Sequence, residues 1–232
     1  MKLKLKEITD ENPIVKTFHF ELDKPLDFKP GQFIIIYFNY NKDGQIKKTQ
    51  RSYSIANSPT RKDIIELTIK KQGLTSNLFF DLIKGQEVEF SGPWGHNFIF
   101  DESNAKEIVM IAAGTGVTPF RGFLQYINDK GLNTKTTLFF TSKSPDFLIY
   151  KKELNHLKNK NSRFIFTVTQ NKDHTWQGNF GRIDKEMIVR NVSDIKEPLF
   201  YICGPPQFVR DMAKNIIELG TPPQNIKTEI YS

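Results

Sequence analysis

Ile108-Val-Met-Ile-Ala-Ala-Gly-Thr-Gly-Val-Thr-Pro-Phe120 is the stretch on which the reading of the fold turns. It begins as an apolar run suited to a buried strand, passes two glycines and reaches a proline that opens a helix. Gly114 and Gly116 let the backbone turn sharply and approach a phosphate closely. Pro119 is tolerated in the first helical turn, where its missing N–H has no intrahelical partner. The helix start then offers unspent N–H groups to a pyrophosphate. The pattern departs from the common dinucleotide fingerprint, because Pro119 stands where a third glycine belongs, and a lone Gly-x-Gly turn is weak support.

A second turn strengthens it. Tyr201-Ile-Cys-Gly-Pro-Pro206 is again a strand ending in Gly-Pro before a helix. Ligands of open α/β sheets bind at the carboxyl ends of the strands, so two such turns at neighbouring strand ends make one crevice.

Around these turns, residues after Glu102 alternate strands with helices. Strands are expected at Ile108–Ala112, Thr137–Thr141, Phe164–Thr169, Lys185–Arg190 and Leu199–Cys203, and helices at Pro119–Lys130, Ile149–Asn159 and Pro206–Leu219. That order predicts a parallel sheet with crossover helices. The first hundred residues differ in texture. Short alternating runs at Lys16–Glu21, Gln32–Phe38, Ile64–Lys70 and Glu87–Ser91 are separated by turn signals such as Lys29-Pro-Gly31 and Lys42-Asp-Gly44, which predicts an antiparallel sheet or barrel carrying one short helix, Leu74–Leu82. The expected domains are 1–102 and 103–232, with the boundary in Asp101-Glu-Ser-Asn-Ala105.

Composition narrows the chemistry. The chain has 232 residues and a single cysteine, Cys203, which excludes an internal disulfide and a thiolate-ligated iron–sulfur cluster within it. His19, His96, His156 and His174 are scattered without metal-ligand spacing, and no metal site is expected. Met1–Glu7 alternates charge with hydrophobe, and no run reaches bilayer length, so no membrane span and a cytoplasmic location are expected. The net charge of +7 is uneven, +1 over residues 1–103 and +6 over residues 104–232, which favours anionic partners of any kind.

Taken together, Arg51-Ser-Tyr-Ser54, Gly73-Leu-Thr-Ser76, Gly92-Pro-Trp-Gly95, Gly114-Thr-Gly-Val-Thr-Pro119 and Cys203-Gly-Pro205, in that order, resemble the signature set of the ferredoxin–NADP reductase superfamily. The resemblance runs from Pro30-Gly-Gln-Phe33 to the C-terminus. It implies an N-terminal antiparallel Greek-key β-barrel with a short helix that binds flavin, followed by a C-terminal α/β parallel sheet that binds NAD(P).

It also implies roles. Arg51 would pair with a flavin phosphate, Tyr53 stack on the flavin and Ser54 hydrogen-bond near its N5, with Ser52 between them. Residue chemistry alone favours the plainer reading of the same strand, one surface arginine and one core tyrosine. Gly73, Leu74, Thr75 and Ser76 match the family's second phosphate contact, Ser76 doubling as a helix cap, and Ile69 and Lys70 would offer backbone contacts. Cys203, with Gly204 and Pro205, matches the cysteine placed near the nicotinamide, where it positions and does not attack; a buried small hydrophobe is the plainer reading. Thr115 and Thr118 would orient the nicotinamide or its phosphates, Thr118 equally being a cap before Pro119. Glu229 and Tyr231 resemble the family's C-terminal acidic and aromatic residues, although Ser232 follows the aromatic here.

FAD is the expected cofactor, with FMN the alternative, and NADH or NADPH the hydride donor. Ser142 and Lys143 suit a 2′-phosphate, whereas Thr169-Gln170 stands where NADP-specific relatives carry Ser-Arg, which tilts the expectation to NADH. The expected function is hydride uptake onto flavin N5 and delivery of electrons to a separate, acidic redox protein such as a ferredoxin or flavodoxin. A reductase of free flavin is the alternative. A noncatalytic nucleic-acid binding protein is the alternative of another class, and no nucleic-acid partner is expected.

Overall fold

The computed structural model describes residues 1–103, 106–170 and 176–231. His174, Ser232 and part of the expected boundary stretch therefore lie outside the described residues.

The first half contains β1 (Lys2–Asn12), β2 (Val15–Glu21), β3 (Phe33–Lys42), β4 (Gln45–Ser54), β5 (Ile64–Lys70), α1 (Leu74–Phe80) and β6 (Glu87–Trp94). These strands form one antiparallel sheet in the order β4-β3-β6-β1-β2-β5, in which β6 returns to lie between β3 and β1. The sheet curls into a barrel. Just beyond β4, the Ala56 N–H donates to the carbonyl of Glu66 on β5 at 2.8 Å. The period-two pattern explains what faces inward: Leu3 and Leu5 of β1 are buried while Lys2, Lys4 and Lys6 face water, and Phe18 and Phe20 are buried on either side of half-buried His19 on β2. α1 seats Phe79 against Phe18, Phe38 and Tyr53, at ring distances of 5.3, 4.9 and 5.0 Å.

The second half contains β7 (Glu107–Ala113), α2 (Thr118–Asp129), β8 (Lys135–Ser142), α3 (Lys151–Leu157), β9 (Ser162–Val168), β10 (Asn179–Phe180), α4 (Lys185–Asn191), β11 (Leu199–Gly204), α5 (Pro206–Glu218) and β12 (Ile226–Ile230). All six strands run parallel in the order β10-β9-β8-β7-β11-β12. Ile108–Ala112 is wholly buried, as befits a strand covered by helices on both faces. From β7 the chain winds outward through β8 and β9 and then returns to β11 on the other side of β7. The order thus reverses between β7 and β11, where a crevice opens at the strand ends.

Among the described residues three apolar cores result, one inside the barrel and one on each face of the parallel sheet. Phe98 and Phe100, which follow the last barrel strand, pack into the second domain: Phe98 lies 5.8 Å from Phe120 and 5.4 Å from Tyr201, and Phe100 lies 5.7 Å from Phe123.

Several elements differ from expectation. Lys185–Arg190 is helix α4, not a strand; Asp184 caps it by accepting from the Met187 N–H at 2.7 Å. The helix expected from Ile149 starts at Lys151, because Tyr150 adopts the left-handed conformation with φ of 59°. The strands β1, β4, β10 and β12 lie outside those the pattern predicts, the resemblance alone putting Arg51–Ser54 on a strand.

Candidate functional site

A cleft of about 940 Å³ lies between the barrel and the carboxyl edge of the parallel sheet. The barrel contributes Arg51, Ser52, Tyr53 and Ser54 from β4, Ile69 and Lys70 from the end of β5, and Ser76 from α1. The second domain contributes Gly114 and Thr115 after β7, Ser142 and Lys143 after β8, and Thr169 after β9. Pro205 follows β11, and Glu229 and Tyr231 come from β12 and the residue after it. Residues from Asn12 to Tyr231, drawn from both domains, thus share one opening.

The remaining expected residues stand behind this wall. Residues Gly114–Val117 form a single 3-10 turn that leads straight into α2. Gly114 has φ of 57°, which favours glycine, and open space where a Cβ would sit. Gly116 crosses the β11 backbone so closely that a Cβ would press on the carbonyl of Cys203 and lie 2.8 Å from the Gly204 nitrogen. Thr118 is the first residue of α2 and not its cap; its hydroxyl donates to the Thr115 carbonyl at 2.7 Å, and Pro119 follows in the first turn. Gly73 has φ of 84°, Leu74 is exposed, and buried Thr75 shares a 3.0 Å hydrogen bond with Thr49. Ser76 Oγ accepts from the Gln72 N–H at 2.6 Å and donates to the Gly73 carbonyl at 3.0 Å, so it organises the turn entering α1.

At the centre, Ser54 Oγ of the barrel donates to Glu229 Oε1 of β12 at 2.7 Å. Strand register sets Cys203 beside Glu229 and beside Ala112 of β7. Burial pushes the Cys203 thiol well up, and the neighbouring Glu229 adds to this, so the sulfur is held as the neutral thiol. Burial likewise raises the Glu229 carboxyl, the Ser54 hydrogen bond offsetting part of it. The phenol of Tyr53 is pushed up to about 12 by burial, and that of Tyr231 also rises, first through burial and then through Cys203 and Glu229.

Sequence reasoning missed part of the cleft. Asn12 at the end of β1, Ile14 of the turn after it, Thr141 near the end of β8, and Phe147 and Ile149 before α3 also line it. These belong to no motif, and only the fold brings them here.

The cleft suits a flavin and a nicotinamide nucleotide. Asn12 Nδ2, Tyr53 Oη, Thr141 Oγ1 and Tyr231 Oη are buried without a hydrogen-bond partner, and all four residues line it. Unsatisfied buried polar atoms cost about 1–3 kcal/mol each, a cost that a polar ligand relieves. Cationic side chains for phosphate stand on both walls, Arg51 and Lys70 on one and Lys143 on the other.

Residues 2–99 match the oxidoreductase FAD-binding domain and residues 110–214 the oxidoreductase NAD-binding domain. Over 211 residues the chain is 32% identical to sulfhydrogenase 1 subunit gamma of Pyrococcus furiosus, an alignment that covers 89% of this chain and 69% of that protein. The chain belongs to the ferredoxin–NADP reductase-like family. Membership makes it an NAD(P)H-dependent flavin oxidoreductase that binds FAD. The flavohemoprotein of Bacillus subtilis is 28% identical over 91% of this chain, which spans only 53% of that relative's length. In fold, the family member superposes on the FAD/NAD-binding domain of nitric oxide dioxygenase from Vibrio cholerae with a TM-score of 0.85 at 21% identity, covering 99% of this chain and 98% of that one.

Proposed function

We propose that the protein takes hydride from NADH and passes the electrons, by way of bound FAD, to a separate acidic redox protein, residues 1–102 serving the flavin and 103–232 the nucleotide. The observation that carries this reading is the Ser54–Glu229 hydrogen bond, which joins the flavin-side strand to the nucleotide-side sheet beside Cys203, the strand neighbour of Glu229.

When bound, the two cofactors supply transfer of hydride from nicotinamide C4 to flavin N5. The chain's own residues bind, orient and hold protons. Arg51 presents a planar, permanently charged fork to a flavin phosphate, and Tyr53 presents a ring held edge-on by Phe79. Ser54 keeps a hydroxyl proton directed at Glu229, whose carboxyl burial shifts upward, toward holding a proton more readily than an exposed glutamate. Cys203, neutral and fully buried, stands behind the cleft wall beside Glu229 and does not act as a nucleophile. Thr115 and Thr141 offer hydroxyls toward the nucleotide, and Tyr231 covers the flavin side until the nicotinamide arrives.

NADH is favoured because Thr169-Gln170 lacks an arginine fork for a 2′-phosphate, which Ser142 and Lys143 would meet less well. A separate acceptor is favoured because one cysteine holds no cluster in these residues, and the +6 charge of residues 104–232 steers an acidic partner. A relative named as the gamma subunit of a sulfhydrogenase fits the same division of labour.

The test is the visible spectrum of the purified protein, followed by anaerobic addition of NADH or NADPH. Yellow protein bleached faster by NADH supports the reading. Colourless protein that oxidises NADH only when flavin is supplied points instead to a reductase of free flavin. Electron delivery to an acidic acceptor should slow as salt rises from 10 to 300 mM, within the range where the Debye length shrinks from about 30 Å to below about 8 Å.

A further inference from the structure

The two walls of the cleft belong to different domains, so something must hold them in register. The turn at residues 114–117 runs directly into α2, and Ser54 runs directly into Ile55-Ala56-Asn57-Ser58. These two continuations lie on each other. Gly122 of α2 comes so close that a Cβ there would meet the carbonyl oxygens of Asn57 at 3.2 Å, Ile55 at 3.5 Å and Ala56 at 3.6 Å. One turn further along, Gln125 Oε1 accepts from the Ser58 N–H at 2.9 Å.

Arg121 fastens this seam. Its side chain is 8% exposed, and its guanidinium spends its donors on three different elements. Nη1 donates to the Ala56 carbonyl at 3.1 Å and pairs with Glu66, the buried carboxylate of β5. Nε donates to both oxygens of Glu153 on α3, at 2.9 and 2.8 Å. The group also sits 5.0 Å over the ring of Tyr150, whose hydroxyl bonds Thr68 of β5. A lysine has no planar fork and cannot meet these partners together.

We propose that Arg121 and Gly122 are positioning residues for hydride transfer: they set the height of the nucleotide-binding turn over the strand that carries Ser54, and so the alignment of the two rings. The proposal rests on the functional reading above. Arg121 lies two residues beyond Pro119, and Ala56 two beyond Ser54, so a shift at the seam passes to both walls with little chain between to absorb it. Misplacing reacting atoms by about 1 Å costs a rate of about a hundredfold, so a shift of a few tenths is measurable.

The experiment uses the flavin-loaded protein as wild type, Gly122→Ala, Arg121→Lys and Arg121→Met. Flavin reduction by saturating NADH is followed anaerobically in a stopped-flow instrument, and flavin and NAD⁺ affinities are measured separately. Spin labels on cysteines introduced at exposed Lys84 of the barrel and Lys214 of α5 report the distance between the domains.

The expected result is a reduction rate down about three- to tenfold in Gly122→Ala and about ten- to a hundredfold in Arg121→Met, with Arg121→Lys between them. Flavin and NAD⁺ affinities stay within about twofold, and the label distance shifts or broadens in the same order. Gly122→Ala retains every polar partner of Arg121, so it reads the seam even where Arg121→Met folds poorly. Folded, flavin-bound variants reduced at the wild-type rate overturn the proposal, as does a slower rate with an unchanged label distance. Wild-type flavin that neither NADH nor NADPH reduces overturns the functional reading itself, and the positioning role with it.

Discussion

Cys203 and Glu229 sit side by side on neighbouring strands, yet burial acts on them with different consequences. The Cys203 thiol, fully buried and pushed well up by burial, is predicted to resist iodoacetamide in the native state and to react only after unfolding; alkylation of the folded protein within minutes would contradict this. Glu229 is also raised by burial, so the folded state binds its proton more tightly than the unfolded chain does. Its contribution to stability is therefore complete below the ordinary value of 4.5 and is lost as pH rises through the raised folded value. Glu229→Gln is predicted to melt at a higher temperature than wild type at pH 8, with the gap closing at pH 4, while flavin reduction slows at least about tenfold. Scanning calorimetry at the two pH values and single-turnover kinetics check both halves. Of this pair, the resemblance implied the residue types and roles; the hydrogen bond from Ser54 was not legible, because it joins residues 175 positions apart.

Helices and strands were legible in proportion to the apolar surface they bury. Ile64–Lys70 was read to the residue, since β-branched residues bounded by turns leave little choice. β1 escaped because Lys-Leu-Lys-Leu-Lys reads as charge alternation, although its leucines form the floor of the barrel. β12 is short and half exposed, and its place beside β11 is set by the sheet and not by its own pattern. α4 reads as a strand from pattern because Met187-Ile-Val189 is apolar and ends in two β-branched residues, while the deciding signal, Asp184 just before it, is a cap. Asp184→Ala is accordingly predicted to cost about 1 kcal/mol, seen as a lower denaturant midpoint with an unchanged slope.

At the scale of the whole molecule, the two domains are joined by buried charge. Burial alone would raise the Glu66 carboxyl, but His19, Arg121 and Arg61 outweigh it and hold the group down at about 2 against an ordinary 4.5. A carboxylate held low stabilises the fold above its unfolded value, and the gain is lost as pH falls from about 4.5 to about 2. At neutral pH it amounts to roughly 3 kcal/mol. Glu66→Gln is predicted to be less stable by that order at pH 7, with the difference vanishing below about pH 2; urea unfolding across that range measures it. None of this network was readable in the chain, because His19, Glu66, Arg121 and Glu153 look like ordinary surface residues until β5, α2 and α3 converge.

Phe98 and Phe100 carry a consequence for anyone recombining such proteins. They follow the last barrel strand, but their rings belong to the core built around Phe120, Phe123 and Tyr201. A chimera joined at residue 102 would supply the grafted sheet with a foreign donor's aromatics, or with none, and leave a hole under α2. A crossover placed upstream of Phe98 keeps that packing within a single parent, so the permissive junction for domain exchange lies inside the run that pattern alone assigns to the barrel.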